Sequence, residues 1–109
     1  SAFASDVQPY YDSETTIAGK VNVSSKTFTV TVQGPSSVTK VKMEATLYQK
    51  KLIGREEIST MSASSNSARC SKSQSAAIEK GKTYVIEVTA QVYSGGAWDT
   101  VEETITVKT

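Results

Sequence analysis

Residues 84–93 read Tyr84-Val85-Ile86-Glu87-Val88-Thr89-Ala90-Gln91-Val92-Tyr93. The even positions carry Tyr, Ile, Val, Ala and Val, and the odd positions Val, Glu, Thr, Gln and Tyr. Strict alternation puts one set of side chains in a core and the other toward water, which is the period of a β-strand. The β-branched and aromatic content suits a pleated, half-buried surface. Glu79-Lys80-Gly81-Lys82 before the stretch and Ser94-Gly95-Gly96 after it are turn sequences. The stretch is therefore read as a long central strand on which other strands pair.

Gly95-Gly96 supplies the positive φ that a tight hairpin needs, and the last strand is read as Trp98–Lys108. In that strand Val101, Ile105 and Val107 share a face with Glu103, so either Glu103 lies near the rim or a bulge shifts the register. Upstream, Ala68–Ser75 alternates weakly, with Ala68, Cys70 and Lys72 on one face. Ala76–Gly81 reads as a corner or one short helical turn stopped by Gly81. Met61–Ser67 reads as a polar loop. Leu52–Thr60 reads as an edge strand with Leu52, Gly54, Glu56 and Ile58 on one side, its charges blunting edge-to-edge pairing. Val38–Lys50 is a strand with Val41, Met43, Ala45 and Leu47 inward. Thr27–Gln33 turns Phe28, Val30 and Val32 inward and Thr27, Thr29 and Thr31 outward. Glu14–Val23 is the first strand, with Gly19 marking a bulge or a close backbone approach.

About seven short strands with no βα alternation predict an all-β, antiparallel, immunoglobulin-like β-sandwich. Tyr84 stands at the start of the penultimate strand, two residues before the core position Ile86, as in a tyrosine corner. The Trp expected on the third strand is absent, and Trp98 lies on the last strand instead. The domain plan is an extended lead-in over residues 1–13 and one sandwich over 14–109. Ala2-Phe3-Ala4 before Ser5 has the small-x-small form of a signal-peptidase site, so the lead-in is expected to follow an export signal.

The 109 residues suit one domain, which buries roughly 65% of its unfolded surface without staples. Twelve basic against eleven acidic residues give a net charge of +1, which argues against a nucleic-acid partner. No apolar run approaches a membrane span. Ser and Thr together make 30 of the 109 residues, a bias that fits the polar strand faces of an exported protein. The chain has no His, so the commonest general base and the commonest zinc ligand are both missing, and a Ser-His-Asp triad is impossible. Cys70 is the single cysteine, so it is a free thiol: a small buried hydrophobe, a reactive group, or half of an intermolecular bridge.

The order of short motifs resembles a family of small exported proteins of Gram-positive bacteria whose function is uncharacterised. The matching features are Gln8-Pro9-Tyr10-Tyr11, Thr15-Thr16-Ile17, and Val41–Lys51 with its Leu47-Tyr48-Gln49-Lys50-Lys51 ending. Gly81-Lys82-Thr83-Tyr84 and Val92-Tyr93-Ser94-Gly95-Gly96 before an acidic strand complete the likeness. It implies an exported β-sandwich and carries over no site residues.

Glu56/Glu57 and Glu102/Glu103 are adjacent on strands and so point to opposite faces, which rules out a carboxylate acid/base couple. Asp99, Thr100 and Glu102 do not supply the six to eight oxygens that calcium wants. Ser71-Lys72-Ser73 and the Asn22-Val23-Ser24 glycosylation pattern are chance-level matches in a Ser-rich chain. No catalytic residue, metal site or cofactor is read, and the protein is read as no enzyme. The candidate contact residues are the outward aromatics Tyr48, Tyr93 and Trp98, which bring large area with a polar tip. As a cross-strand pair, Tyr93 and Trp98 also stabilise their hairpin by about 0.2–1 kcal/mol. The expected function is non-enzymatic adhesion or structural association in a secreted or cell-surface protein. Carbohydrate binding through the aromatics near the last hairpin is the alternative. The partner is a protein or a glycan, and the exposed edge strand Leu52–Ile58 or Cys70 offers a route to a homodimer.

Overall fold

The computed structural model describes residues 14–109. The lead-in, with the signal-site and Tyr10-Tyr11 readings, lies outside the described residues. The seven strands are β1 (Thr16–Asn22), β2 (Thr27–Gln33), β3 (Lys40–Lys50), β4 (Arg55–Ser65), β5 (Arg69–Ser75), β6 (Thr83–Ser94) and β7 (Ala97–Lys108). All pairings are antiparallel, in a three-stranded sheet of order β1-β2-β5 and a four-stranded sheet of order β4-β3-β6-β7. The two sheets pack as a β-sandwich. The stretch 84–93 is the inner strand β6, flanked by β3 and β7.

Alternation decides which side chains meet between the layers. Tyr84, Ile86, Val88, Ala90 and Val92 of β6 are buried, with Val41, Met43, Ala45 and Leu47 of β3 and Val101, Ile105 and Val107 of β7. Opposite them lie Ile17 and Val21 of β1, Phe28, Val30 and Val32 of β2, and Cys70 of β5. Gly19 belongs to this layer because a Cβ there would sit 2.9 Å from Ile105 Cδ1 and 3.1 Å from Ile86 Cδ1. The β1–β2 register is continuous, so the glycine marks a close approach and no bulge. The β6–β7 register is also continuous through Glu103, which pairs with Val88 and is half-buried on the edge strand β7. That leaves the rim as the account of its place on the apolar face.

Two local readings are corrected, and one left open between two forms is decided. The polar stretch Met61–Ser67 is a loop only at its end, because β4 continues to Ser65 and Met61 is buried beside Ala45. The cause is a bulge: Leu47 faces Ser59 and Tyr48 faces Glu57, leaving Ile58 as the extra residue. The bulge switches the strand's parity, so Ile58 and Met61 both pack on the core although one is even and one odd. Leu52 and Gly54 are not in the strand but in the β3–β4 turn, where Lys51 N–H donates to the Gly54 carbonyl at 3.0 Å and Gly54 takes φ +74°. Of the two forms read for Ala76–Gly81, the structure has the corner and no helical turn, and Ile78 is fully buried in it.

That corner is tied to Tyr84. The phenol is fully buried, and its oxygen accepts the Glu79 backbone N–H at 2.7 Å. This is the bond expected of a tyrosine corner, five residues upstream. At the other end of β6, Ser94 pairs with Ala97 across Gly95 (φ +60°) and Gly96 (φ +82°), a two-residue hairpin that needs positive φ at both positions.

Candidate functional site

Alternation on β6 and β7 also decides what faces out from the four-stranded sheet. Tyr93 and Trp98 are cross-strand partners beside the Gly95-Gly96 turn. Their ring centroids lie 5.1 Å apart at 56°, a tilted packing that the ring quadrupoles favour. Trp98 keeps 40% of its surface exposed. From β3, Lys40 stands over the Tyr93 ring at 5.3 Å and Lys42 over the Trp98 ring at 4.7 Å, both within cation–π range. Lysine ammonium groups thus cover part of the aromatic surface that the sequence presents as free.

Next to this cluster a groove of about 600 Å³ runs over the sheet, lined by Lys42, Glu44, Ser62, Ser64, Thr89 and Gln91. The register explains its make-up: Lys42 is opposite Gln91 and Ser64, and Glu44 is opposite Thr89 and Ser62. The groove therefore spans β4, β3 and β6, and offers hydroxyl, amide, ammonium and carboxylate groups side by side. Lys42 belongs both to the groove and to the Trp98 contact.

Tyr48 stands apart. It pairs with Val85, near the opposite end of β3 and β6 from Tyr93. The Arg55 guanidinium lies 3.7 Å from its ring centroid and donates to Glu87 Oε2 at 2.8 Å. The Glu87 hydrogen bond holds the guanidinium more firmly protonated than usual. Val85 faces outward by its position in the strand, yet it is buried beside its cross-strand partner Tyr48. Of the three aromatics read as contacts, the fold brings two together and gives the third to a separate, self-paired cluster.

Cys70 is buried at 4% exposure on the inner face of β5 and is a free thiol. Burial pushes it above the ordinary thiol range, offset in part by the Ser65 hydroxyl and the Lys72 charge. An intermolecular Cys70 bridge would require β5 to leave the sheet. Ser71 and Ser73 point away from Lys72: they hydrogen-bond Thr31 (2.8 Å) and Thr29 (2.6 Å), while Lys72 donates to the Ser62 carbonyl at 3.0 Å. The hydroxyl row of β2 is thus paired with that of β5. Ser59 donates to the Ser75 carbonyl and Ser65 to the Arg69 carbonyl, so three side-chain bonds join the edges of β4 and β5.

Asn22 ends β1, and its Oδ1 accepts from Ser24 Oγ at 2.8 Å and Ser25 N–H at 3.0 Å, closing the β1–β2 turn. Among the described residues, no three or more of Cys, Asp and Glu gather where a metal could be held, and no helix is long and apolar enough to cross a membrane.

The lysine pair and the groove are what the sequence reading missed. Their only trace in sequence is the outward alternation of Lys40, Lys42 and Glu44, which acquires meaning once β3 is known to pair with β6. No protein-family model, no curated protein and no solved structure matches the chain.

Proposed function

We propose that this protein is a non-enzymatic binding module, secreted or held at a cell surface, that works in adhesion or structural association. The observation that carries this reading is the outer face of the four-stranded sheet, where the polar groove ends against Trp98, Tyr93 and their two lysines. An amphipathic aromatic beside a row of hydrogen-bonding groups suits a contact surface, since the ring supplies area and the polar groups supply orientation. The absence of His from the sequence supports a non-enzymatic role, as does the divergence of the Ser71–Lys72 pair. The hydroxyl-rich outer faces support a life outside the cell. We also infer an immunoglobulin-like connectivity, supported by the strand order and by the Tyr84–Glu79 bond. Membership in the exported Gram-positive family rests on the motifs quoted above.

Beads carrying the purified protein should adhere to surfaces coated with extracellular polymers or proteins. Trp98→Ala and Gln91→Ala should each weaken that adhesion about tenfold, Gln91→Ala at unchanged melting temperature and Trp98→Ala with no more than the few degrees lost with the Tyr93 pairing. Adhesion indifferent to both changes would remove the sheet face from the account. The groove's hydroxyl and amide lining favours a glycan as the second reading. In that case a glycan array gives binding that Trp98→Ala abolishes, and Lys42 swings off the ring to admit the sugar. A blank array with adhesion intact assigns the face to a protein partner.

A further inference from the structure

The β3–β4 turn carries the sequence Lys50-Lys51-Leu52-Ile53-Gly54-Arg55. Leu52 is 101% exposed and Ile53 90%, while the chain's other exposed large apolar side chain, among the described residues, is Trp98 at the far end. Isolated surface aliphatics need no explanation, but two adjacent ones at the tip of a hairpin, with nothing under them, form a small apolar point. Glycine at φ +74° fixes the turn that presents them.

The surroundings of this tip are cationic. Gln49 pairs with Tyr84, Thr83 pairs with Lys108, and Thr109 N–H donates to the Lys82 carbonyl. The segments 80–82 and 108–109 therefore leave the sheet at the same end as the tip. Lys50, Lys80, Lys82 and Lys108 are all exposed there, and none has an ion-pair partner among the described residues. Lys51 and Arg55 are matched by Glu56 (3.1 Å) and Glu87 (2.8 Å), and Glu57 and Glu79 are the other exposed carboxylates at this end, so the basic side chains there outnumber the acidic ones.

We propose that this end of the sandwich docks on an anionic lipid surface, with Leu52 and Ile53 entering the headgroup–acyl boundary and the four lysines facing the headgroups. An apolar point with a cationic collar is the combination that such an interface rewards: aliphatic area enters the boundary while charge stays at the headgroups. A nucleic acid would use the lysines and leave the aliphatic pair in water. A protein pocket or a second copy would use the aliphatic pair without needing four unmatched cations. The tip is at the opposite end from Trp98, so docking leaves the groove open, and the proposal stands independently of what the groove binds.

The test is co-sedimentation of the full chain with vesicles of phosphatidylcholine alone and of phosphatidylcholine containing about a third phosphatidylglycerol. The protein should pellet with the anionic vesicles and not the neutral ones, and less so as salt is raised. L52S/I53S, which changes only exposed side chains and should leave the melting temperature unmoved, should weaken binding about tenfold or more. K80S/K82S should weaken it about twenty-five-fold, each lysine near an anionic surface being worth roughly fivefold. Three results would overturn the proposal. One is failure of the protein to bind anionic vesicles. Another is equal binding by L52S/I53S, which marks a merely cationic patch of the kind that would hold duplex DNA as well. The third is a lipid-free dimer that L52S/I53S disperses, which makes a second copy the occupant.

Discussion

Burial at β5 favours the neutral Cys70 thiol in the folded protein, so the group contributes stability while the pH is below the unfolded thiol's pKa and loses it as the pH climbs through the raised folded value. Two outcomes follow. A disulfide reagent should label Cys70 at least about a hundredfold more slowly in buffer than in urea at the same pH. Cys70→Ala should flatten part of the fall in the urea midpoint as the pH rises above about 8, where the unfolded thiol begins to ionise. Tyr84 tests the corner at the same scale. Tyr84→Phe keeps the buried ring but leaves the Glu79 N–H without its acceptor, and should cost about 1–2 kcal/mol in equilibrium unfolding with the far-ultraviolet spectrum unchanged. A change below about 0.3 kcal/mol would mean that water replaces the phenol there. Residue-level chemistry was legible where it depended on one strand and its turn. The Tyr93–Trp98 pairing follows from two aromatics flanking Gly95-Gly96. The separation of Tyr48 does not, because it depends on the pairing of β3 with β6, about forty residues apart in sequence.

Among the elements, β6 was legible almost residue by residue because its alternation is strict and both ends carry turn chemistry. β4 was not, and its bulge is the physical reason. An inserted residue at Ile58 reverses which parity faces the core, so no single alternating template fits the segment, and its serines make the second half resemble a loop. Part of the groove was lost with it, since Ser62 and Ser64 lie in that half. The two descriptions differ experimentally. With Met61 in a loop, Met61→Ala would be nearly neutral; with Met61 packed on Ala45, it should cost about 2–3 kcal/mol by urea unfolding. Asn66→Ala, exposed beyond the end of the strand, serves as the control and should change stability by less than about 0.5 kcal/mol. β1 gives a companion case. Gly19→Val must displace the ends of Ile86 and Ile105 and should destabilise by about 1–3 kcal/mol.

Across the whole molecule, the pairings that close the sandwich are distant in sequence: β2 with β5, and β3 with β6. Closing such loops precedes any reward from the contacts, so refolding should take milliseconds to seconds, and a stopped-flow record complete within microseconds would contradict the pairing. The fold also sorts surface character lengthwise, which a net charge of +1 conceals. The aromatic pair and groove gather toward one pole, and the aliphatic tip with its unmatched lysines occupies the other. β3 joins the two poles as one unbroken eleven-residue strand, about 35 Å long at the usual rise. That strand acts as a rigid spacer. Whatever grips the tip carries the Trp98 face at a set height above it, so the reach of the module is written in the length of a single strand, and each pair of residues inserted across β3 and its partners would lift that face by about 7 Å.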